Sequence, residues 1–396
     1  MNLKIFNSSI DYAHIGNEIV LTEKDFHPCN PFFIDHPSLF PESINEISTK
    51  GVFETTRYLR HTLKVIDALL VLEGEIYIEF FRVSFDSGGF PLRPYNFMMN
   101  ELSVCFGERY KVYKNEFDGT VDRFWLKKIE STLPKNDAIS KWSFGIVSNG
   151  SKNDRVLSII DQIISFQIPE FEILICGPKP TENLPQVVKI IDDSELYIDV
   201  RIPISKKKNK IIDEASFNNL VIMHDRISFS DDWYQKICNY GNHFNQLCMP
   251  ILDEDTQSLR INDWIAIDND LTEFEKSKGV ILNYKDWSPF IFVDGGFMLI
   301  KKHIISKTKL NPFLNWGEME DVNLSQRLYL EGNSISFYTE PVLFTQTHRI
   351  KASKPANNWF KKMIRPLRYK EYINKRNIAV MNKFNLFLST KINESF

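Results

Sequence analysis

Residues 142–177 read WSFGIVSNGSKNDRVLSIIDQIISFQIPEFEILICG, and the fold turns on them. SFGIVSNG (143–150) is a short run of buried type that stops at Asn-Gly. DRVLSIIDQIISFQI (154–168) sets apolar side chains at 156, 159, 160, 163 and 164, which is helical spacing. Pro169 closes that helix. FEILICG (171–177) is a near-continuous apolar run, as expected of a strand covered on both faces in a parallel sheet, and VVKIIDD (187–193) is another. Strand, helix, strand and strand over short connections predict an α/β domain with a mostly parallel sheet. Ligands of such sheets gather beyond the carboxyl ends of the strands. Here those ends carry Ser148, Asn149, Gly150, Gly177, Asp192 and Asp193.

The whole chain has 396 residues, too many for one ordinary core, so two domains are expected. Apolar residues at 43% and charged residues at 25% fit a soluble globular protein. A net charge of −3 lacks the basic bias that duplex nucleic acid demands, so no nucleic-acid partner is expected. Five scattered cysteines with no CxxC pair read as reduced core residues. The opening residues carry Asp and Glu early and have no long apolar stretch, so they do not read as a signal peptide. No window reaches about 18 uninterrupted apolar residues. A cytoplasmic protein is the expectation.

Three clusters follow the opening strands. In SKKKNKIIDEASFNNLVIMHDRISF (205–229), a helix-like segment from about Lys210 to Asn218 leads into the strand NLVIM, which stops at His224-Asp225-Arg226. A carboxylate at the end of a buried strand can hold a divalent cation against a diphosphate, or it can simply cap the next turn. In VDGGFMLIKKHII (293–305), Asp294-Gly295-Gly296 is a tight turn before an apolar strand. Glycines there admit a ligand close to the backbone, and they also suit an ordinary hairpin. In NPFLNWGEMEDVNLSQRLYLEG (311–332), Glu318, Glu320 and Asp321 crowd beside Trp316 at the start of a helix. Acidic residues favour a helix N-terminus, yet such crowding raises carboxylate pKa values and can supply a general base for a hydroxyl nucleophile.

Taken together, these segments resemble glycosyltransferases of the GT-A type, in particular family 2 and its relatives. The matching features occur in order: Phe144 to Gly150, Lys208-Asn209, His224-Asp225-Arg226, Asp294-Gly295-Gly296, Gly317 to Asp321, and His348. The resemblance implies a GT-A, Rossmann-like α/β fold and a nucleotide-diphosphate sugar as donor. It also implies a divalent cation, Mn2+ or Mg2+, and a glycan or lipid-linked glycan as acceptor in surface polysaccharide biosynthesis, with inversion at the anomeric carbon. It assigns Asp225 and His348 to the metal, with Asp225 also against the diphosphate. Asp321 is the implied base, with Glu320 as alternate. Ser148, Asn149, Gly150, Asp192, Asp193, Lys208, Asn209, His224, Arg226 and Gly295 are implied around the donor, and Trp316 and Glu318 around the acceptor. Lys208 also sits in a charged run, KKKNK, that would read equally well as solvated. The sequence departs from the DxD form at Arg226, which stands where a second Asp would be. A guanidinium there can itself offset phosphate charge.

Residues 1–130 are expected to form a smaller α/β domain. A helix is predicted over GVFETTRYLRHTLKVIDALLVL (51–72), then a turn at Glu73-Gly74, the strand EIYIEFFRV (75–83), and a helix over YNFMMNELSVCFG (95–107). Together with LFPESINEI (39–47), this run resembles the second half of a class I methyltransferase. The glycine-rich loop that would cradle S-adenosylmethionine is replaced by LKIFNSSI (3–10), which implies a truncated, non-catalytic relative. Residues 131–141 read as a linker and 142–350 as the transferase domain. The stretch 351–383 is strongly basic with interleaved aromatics and one Glu, within an extension (351–396) expected to be helical. Such a stretch can lie on an anionic membrane surface or pack on its own domain, and Pro366 argues against one long helix. Two other functions fit parts of the chain: a sugar methyltransferase, and a non-enzymatic partner protein whose metal site has decayed.

Overall fold

The computed structural model describes residues 2–6, 19–53, 56, 58–82, 95–131, 137–197, 201–258, 264–267, 279–284, 286–288 and 291–346. His348 and the basic extension at 351–396 lie outside the described residues. The architecture is mixed α/β, with two sheets that contain parallel strands and two small antiparallel or mixed ones.

The first sheet holds β1 (Asn2–Phe6), β2 (Ile19–Thr22), β3 (Ile44–Lys50), β4 (Leu70–Phe81), β5 (Tyr110–Phe117) and β6 (Val121–Lys128), in the order β2-β1-β3-β4-β6-β5. The first four are mutually parallel, and β6 and β5 add antiparallel strands at one edge. A one-turn helix, α1 (Phe32–Asp35), precedes β3; α2 (Leu59–Leu69) joins β3 to β4, and α3 (Tyr95–Phe106) follows β4. Alternate side chains such as Ile47, Ile76, Ile78, Phe124 and Leu126 face these helices in one apolar core.

The chain departs from the sequence reading at Glu73-Gly74, which is no turn. Strand β4 starts at Leu70 and runs straight through it. Its pairing with β3 jumps from Ile44↔Leu70 to Glu46↔Glu75, so the extra residues form a bulge, with Glu73 at φ 66°. A Cβ on Gly74 would lie 2.9 Å from the backbone oxygen of Val71, which is why glycine sits there. The helix before it is shorter than 51–72 at both ends: it starts at Leu59, and Leu70, Val71 and Leu72 belong to the strand.

The second sheet is built on β7 (Lys141–Val147), β8 (Glu170–Cys176), β9 (Val188–Ile191) and β10 (Asn219–His224), all parallel, with α4 (Asn153–Ser165) between β7 and β8 and α5 (Ile204–Glu214) between β9 and β10. A short strand β11 (Ile227–Phe229) and helix α6 (Trp233–Tyr240) follow. The later chain adds β12 (Gln246–Cys248), β13 (Ile251–Asp253), β14 (Ile265–Ile267), β15 (Gly279–Ile281), β16 (Ile291–Phe292), β17 (Phe297–Lys301), β18 (Ile335–Phe337) and β19 (Leu343–Thr345), with helices α7 (Lys302–Ile305) and α8 (Glu320–Leu330). The large sheet runs β18-β12-β17-β10-β7-β8-β9, and β17 alone is antiparallel to both its neighbours. Two three-stranded sheets, β11-β19-β13 and β15-β14-β16, flank it. Its core is rich in aromatics. Trp233 meets Trp142 edge-on at 5.5 Å and Phe229 at 4.7 Å, which fixes α6 against β7 and β11.

Helix α5 begins six residues earlier than the pattern from Lys210 suggested, with Pro203 just before its first turn, where a missing N–H costs nothing. The earlier start turns the KKKNK run inward: Lys207 and Lys208 are 1% and 0% exposed. It also sets Ile211 against Gly145 of β7, where an added Cβ would sit 2.2 Å from Ile211 Cγ2. Gly145→Ala should therefore lower unfolding stability by about 1–3 kcal/mol, the usual cost of overpacking, and urea denaturation would show it. Unchanged stability would mean that α5 does not seat on β7 at this point. Among the described residues, no helix is long and apolar enough to cross a membrane.

Candidate active site

The register of the large sheet brings four strand ends level. Val147 is paired with Cys176 on one side and His224 on the other, and Cys176 with Ile191. Ser148, Gly177, Asp192 and Asp225 each stand one residue beyond that row, at the carboxyl edge where ligands of such sheets collect. Strand β17 is antiparallel to β10, so its starting turn, Asp294-Gly295-Gly296, lies at the same edge. The His224 amide donates to the Gly296 carbonyl at 3.0 Å.

Ser148 ties the first strand end together. Its hydroxyl donates to Asp225 Oδ2 at 2.9 Å and accepts from the Gly150 amide at 3.1 Å. Its carbonyl accepts from Lys207 Nζ at 2.6 Å. Gly177 is a second necessity here, because a Cβ on it would lie 2.2 Å from the Ser148 carbonyl oxygen. Asn149 faces away from this arrangement and closes its own turn by accepting from the Ser151 amide and hydroxyl.

The two aspartates after β9 divide. Asp192 is exposed and accepts from the Ser194 amide and hydroxyl, contacts that hold its carboxyl below the ordinary range. Asp193 is buried and lies 2.6 Å from Lys207 Nζ. Burial alone would lower the Lys207 pKa, but Asp193 and the Tyr197 hydroxyl hold it above the ordinary lysine value. Lys207 thus stays charged and braces Ser148, Asp193 and Tyr197 as one wall. Neither Lys207 nor Tyr197 was singled out in the sequence. The three-lysine run gave no hint of which lysine points in, and only the helix start at Ile204 decides it.

The opposite wall comes from α8 and the turn before β17. The Gly295 amide donates to Asp321 Oδ2 at 2.7 Å. The Gly295 carbonyl accepts from Lys208 Nζ at 2.8 Å, and Lys208 also reaches Glu320 Oε1 at 2.9 Å. A Cβ on Gly295 would come within 3.0 Å of Glu320, Asp321 and Lys208 together, so glycine is what lets the carboxylates close on the turn. Burial, then Glu320, push the Asp321 carboxyl up from the ordinary aspartate value to about 6, with Asp294 adding and Lys208 opposing. Met319, just before this pair, takes the left-handed φ of 62°, a strained setting for a residue with a side chain.

Trp316 links the two walls. Its indole stacks on His224 at 5.1 Å, and the Arg226 guanidinium lies over it at 5.2 Å. Trp316 itself is 40% exposed. Glu318 instead closes the turn around Gly317 by accepting from the Asn315 amide and side chain. Asn209 lies apart from the strand ends: its side-chain amide donates to the Leu310 carbonyl and accepts from the Leu310 amide, clamping the chain ahead of Trp316. Lys208 is directed at Gly295 and Glu320 rather than at open space.

Among the described residues, no three His, Cys, Asp or Glu side chains converge as a metal-binding group. Asp225 provides one carboxylate, and His348, its expected companion, lies outside the described residues. The described donors by themselves do not complete a metal site.

No family model matches the chain, and no curated protein matches it. Solved structures do. A structure of GalNAc-T7 with UDP, GalNAc and Mn2+ matches at 14% identity with a TM-score of 0.41, covering 54% of this chain and 44% of that one. S. aureus TarS 1-349 matches at 12% identity and 0.36, covering 52% and 60%. A putative glucose-1-phosphate thymidylyltransferase from Bacillus anthracis in complex with a sucrose matches at 14% and 0.33, covering 55% and 98%. The chain spans less than two thirds of the first two structures. At TM-scores below one half, these likenesses decide neither fold nor activity.

Proposed function

We propose that the chain is a GT-A glycosyltransferase that moves a sugar from a nucleotide diphosphate to a hydroxyl of a glycan or lipid-linked glycan, with inversion. The observation that carries this reading is the Asp321 carboxyl. It is pushed up to about 6, tied to the Gly295 amide, and joined through the Gly295-Gly296 turn to the strand end that holds Asp225. A base so placed can take the proton of an acceptor hydroxyl as its oxygen forms a bond to the anomeric carbon and the diphosphate leaves with the electrons of the broken bond. Trp316 gives the acceptor sugar an aromatic face. Asp193, Lys207 and Ser148 form the floor for the nucleoside. Arg226 is a fixed cation beside Asp225. A divalent cation held by Asp225 and His348 would offset charge on the diphosphate. Residues 1–130 are proposed as a non-catalytic domain of methyltransferase-like ancestry. What supports this is the β3–α2–β4 run in a parallel sheet with its own core.

The test is a thermal-shift panel of nucleotide sugars with and without Mn2+. A ligand held only by the folded chain raises the melting temperature, by the equivalent of about 2.7 kcal/mol at a hundred times its dissociation constant. One uridine- or guanosine-diphosphate sugar should stabilise the protein, and less so in Asp225→Ala. No shift with any donor would remove the proposal.

A further inference from the structure

A cavity of about 530 Å³ lies away from the strand ends, between the helices of the first sheet and the far edge of the second. Residues of α2 (His61, Lys64, Asp67) and Arg109 form one side, and His243, Lys301, His303 and Lys307 the other. Its volume falls within the range of small-molecule sites.

Most of the charge on its walls is already matched. Arg109 meets Asp67 at 2.7 Å, and Lys301 meets Asp137 at 2.9 Å. The carboxylate of Glu331 is bonded by the Thr308 hydroxyl. Three charges are left over: among the described residues, neither Lys64 nor Lys307 has a carboxylate within ion-pair distance and Glu130 has no cation within it, a net excess of one cation. Both lysines line the cavity, as His303 does. His61 adds an uncommitted polar atom. It is 8% exposed, and among the described residues its Nε2 has no hydrogen-bond partner. His303 donates from Nδ1 to Asn218 Oδ1 at 2.9 Å, and burial holds its pKa down to about 4, so its Nε2 is an acceptor and offers nothing to an anion. Asn242, Asn245 and Asn333 line the same space with amides. A buried ring nitrogen left unmatched and the half-buried Lys64 ammonium both cost stability, and an oxyanion would answer both where His61 carries its proton on Nε2.

We propose that this cavity is a second ligand site, which takes a small phosphate-bearing molecule held by Lys64, Lys307 and His61. Such a ligand touches both cores and would clamp them together. The reading is independent of the transferase proposal, since none of these residues belongs to the strand-end cleft.

The experiment is thermal denaturation of the full chain in inorganic phosphate, in glucose 6-phosphate and in free glucose, each against sodium chloride of equal ionic strength. Phosphate should raise the melting temperature by about 2–5 °C. Glucose 6-phosphate should do at least as well if the sugar is recognised too, and free glucose should do nothing. Lys64→Met should abolish the shift, and Lys307→Met, an exposed position that tolerates change, should halve it or more. No shift beyond chloride, or the same shift in both variants, would overturn the proposal. So would a shift lost in Arg226→Ala and kept in Lys64→Met, which would put the phosphate in the strand-end cleft.

Discussion

Asp321→Asn should cut sugar transfer by about 10²- to 10⁴-fold while the affinity for the donor, read by calorimetry, changes by less than about twofold. Asparagine keeps an oxygen for the Gly295 amide, which holds the turn before β17, and gives up the oxygen that now accepts from the Val322 amide at 2.8 Å. What it cannot do is accept a proton. The other two carboxylates of the segment are poorly set to replace it. Glu320 is bound to Lys208, and Glu318 is exposed and bonded to Asn315. The wild type should also show an acid limb. With Asp321 as the base and its carboxyl pushed up to about 6, kcat/KM should fall about tenfold for each pH unit below that and flatten above it. An ordinary aspartate at this position would set the limb near 4. Transfer that survives Asp321→Asn would hand the proton to Glu320 or Glu318 and leave the geometry around Gly295 without a catalytic meaning.

Much of this arrangement was legible in the sequence because period and punctuation survive folding. The run 142–177 shows its strand–helix–strand order through apolar spacing and Pro169, and Asp294-Gly295-Gly296 announces a turn by composition alone. The level row of Val147, Cys176, Ile191 and His224 follows once those strands are parallel. Side-chain direction was not legible. Lys206, Lys207 and Lys208 are chemically one residue repeated, and only the phase of α5, set by Pro203 and by Ile211 seated on Gly145, turns two of them into the protein. Asn209 follows from the same phase: one residue past Lys208 it faces the backbone of Leu310 and not the strand ends. The bulge at Glu73-Gly74 was hidden for a related reason. A glycine after a left-handed residue reads as a turn unless the partner strand is known. The second cavity was invisible, since its walls come from segments more than two hundred residues apart.

Lys208→Met should give the largest loss of stability, about 3–5 kcal/mol, because it leaves Glu320 buried with no counter-charge. Urea denaturation would read it. If Lys208 only holds the fold, whatever activity survives keeps the same pH dependence. The proposal here is that it also positions and tunes the base. Lys208 opposes the forces that raise Asp321, so its removal should move the acid limb above 6. Glu320→Gln should do the reverse, since the neighbouring negative charge is what pushes Asp321 up after burial itself. The double variant separates the two contributions. With the Glu320 charge gone as well, Asp321 is the carboxylate that still loses Lys208, so stability should recover in part relative to Lys208→Met alone. The limb should lie between those of the single variants. If Lys208→Met and Glu320→Gln shift the limb in the same direction, or neither shifts it, Asp321 is not the group that titrates in transfer.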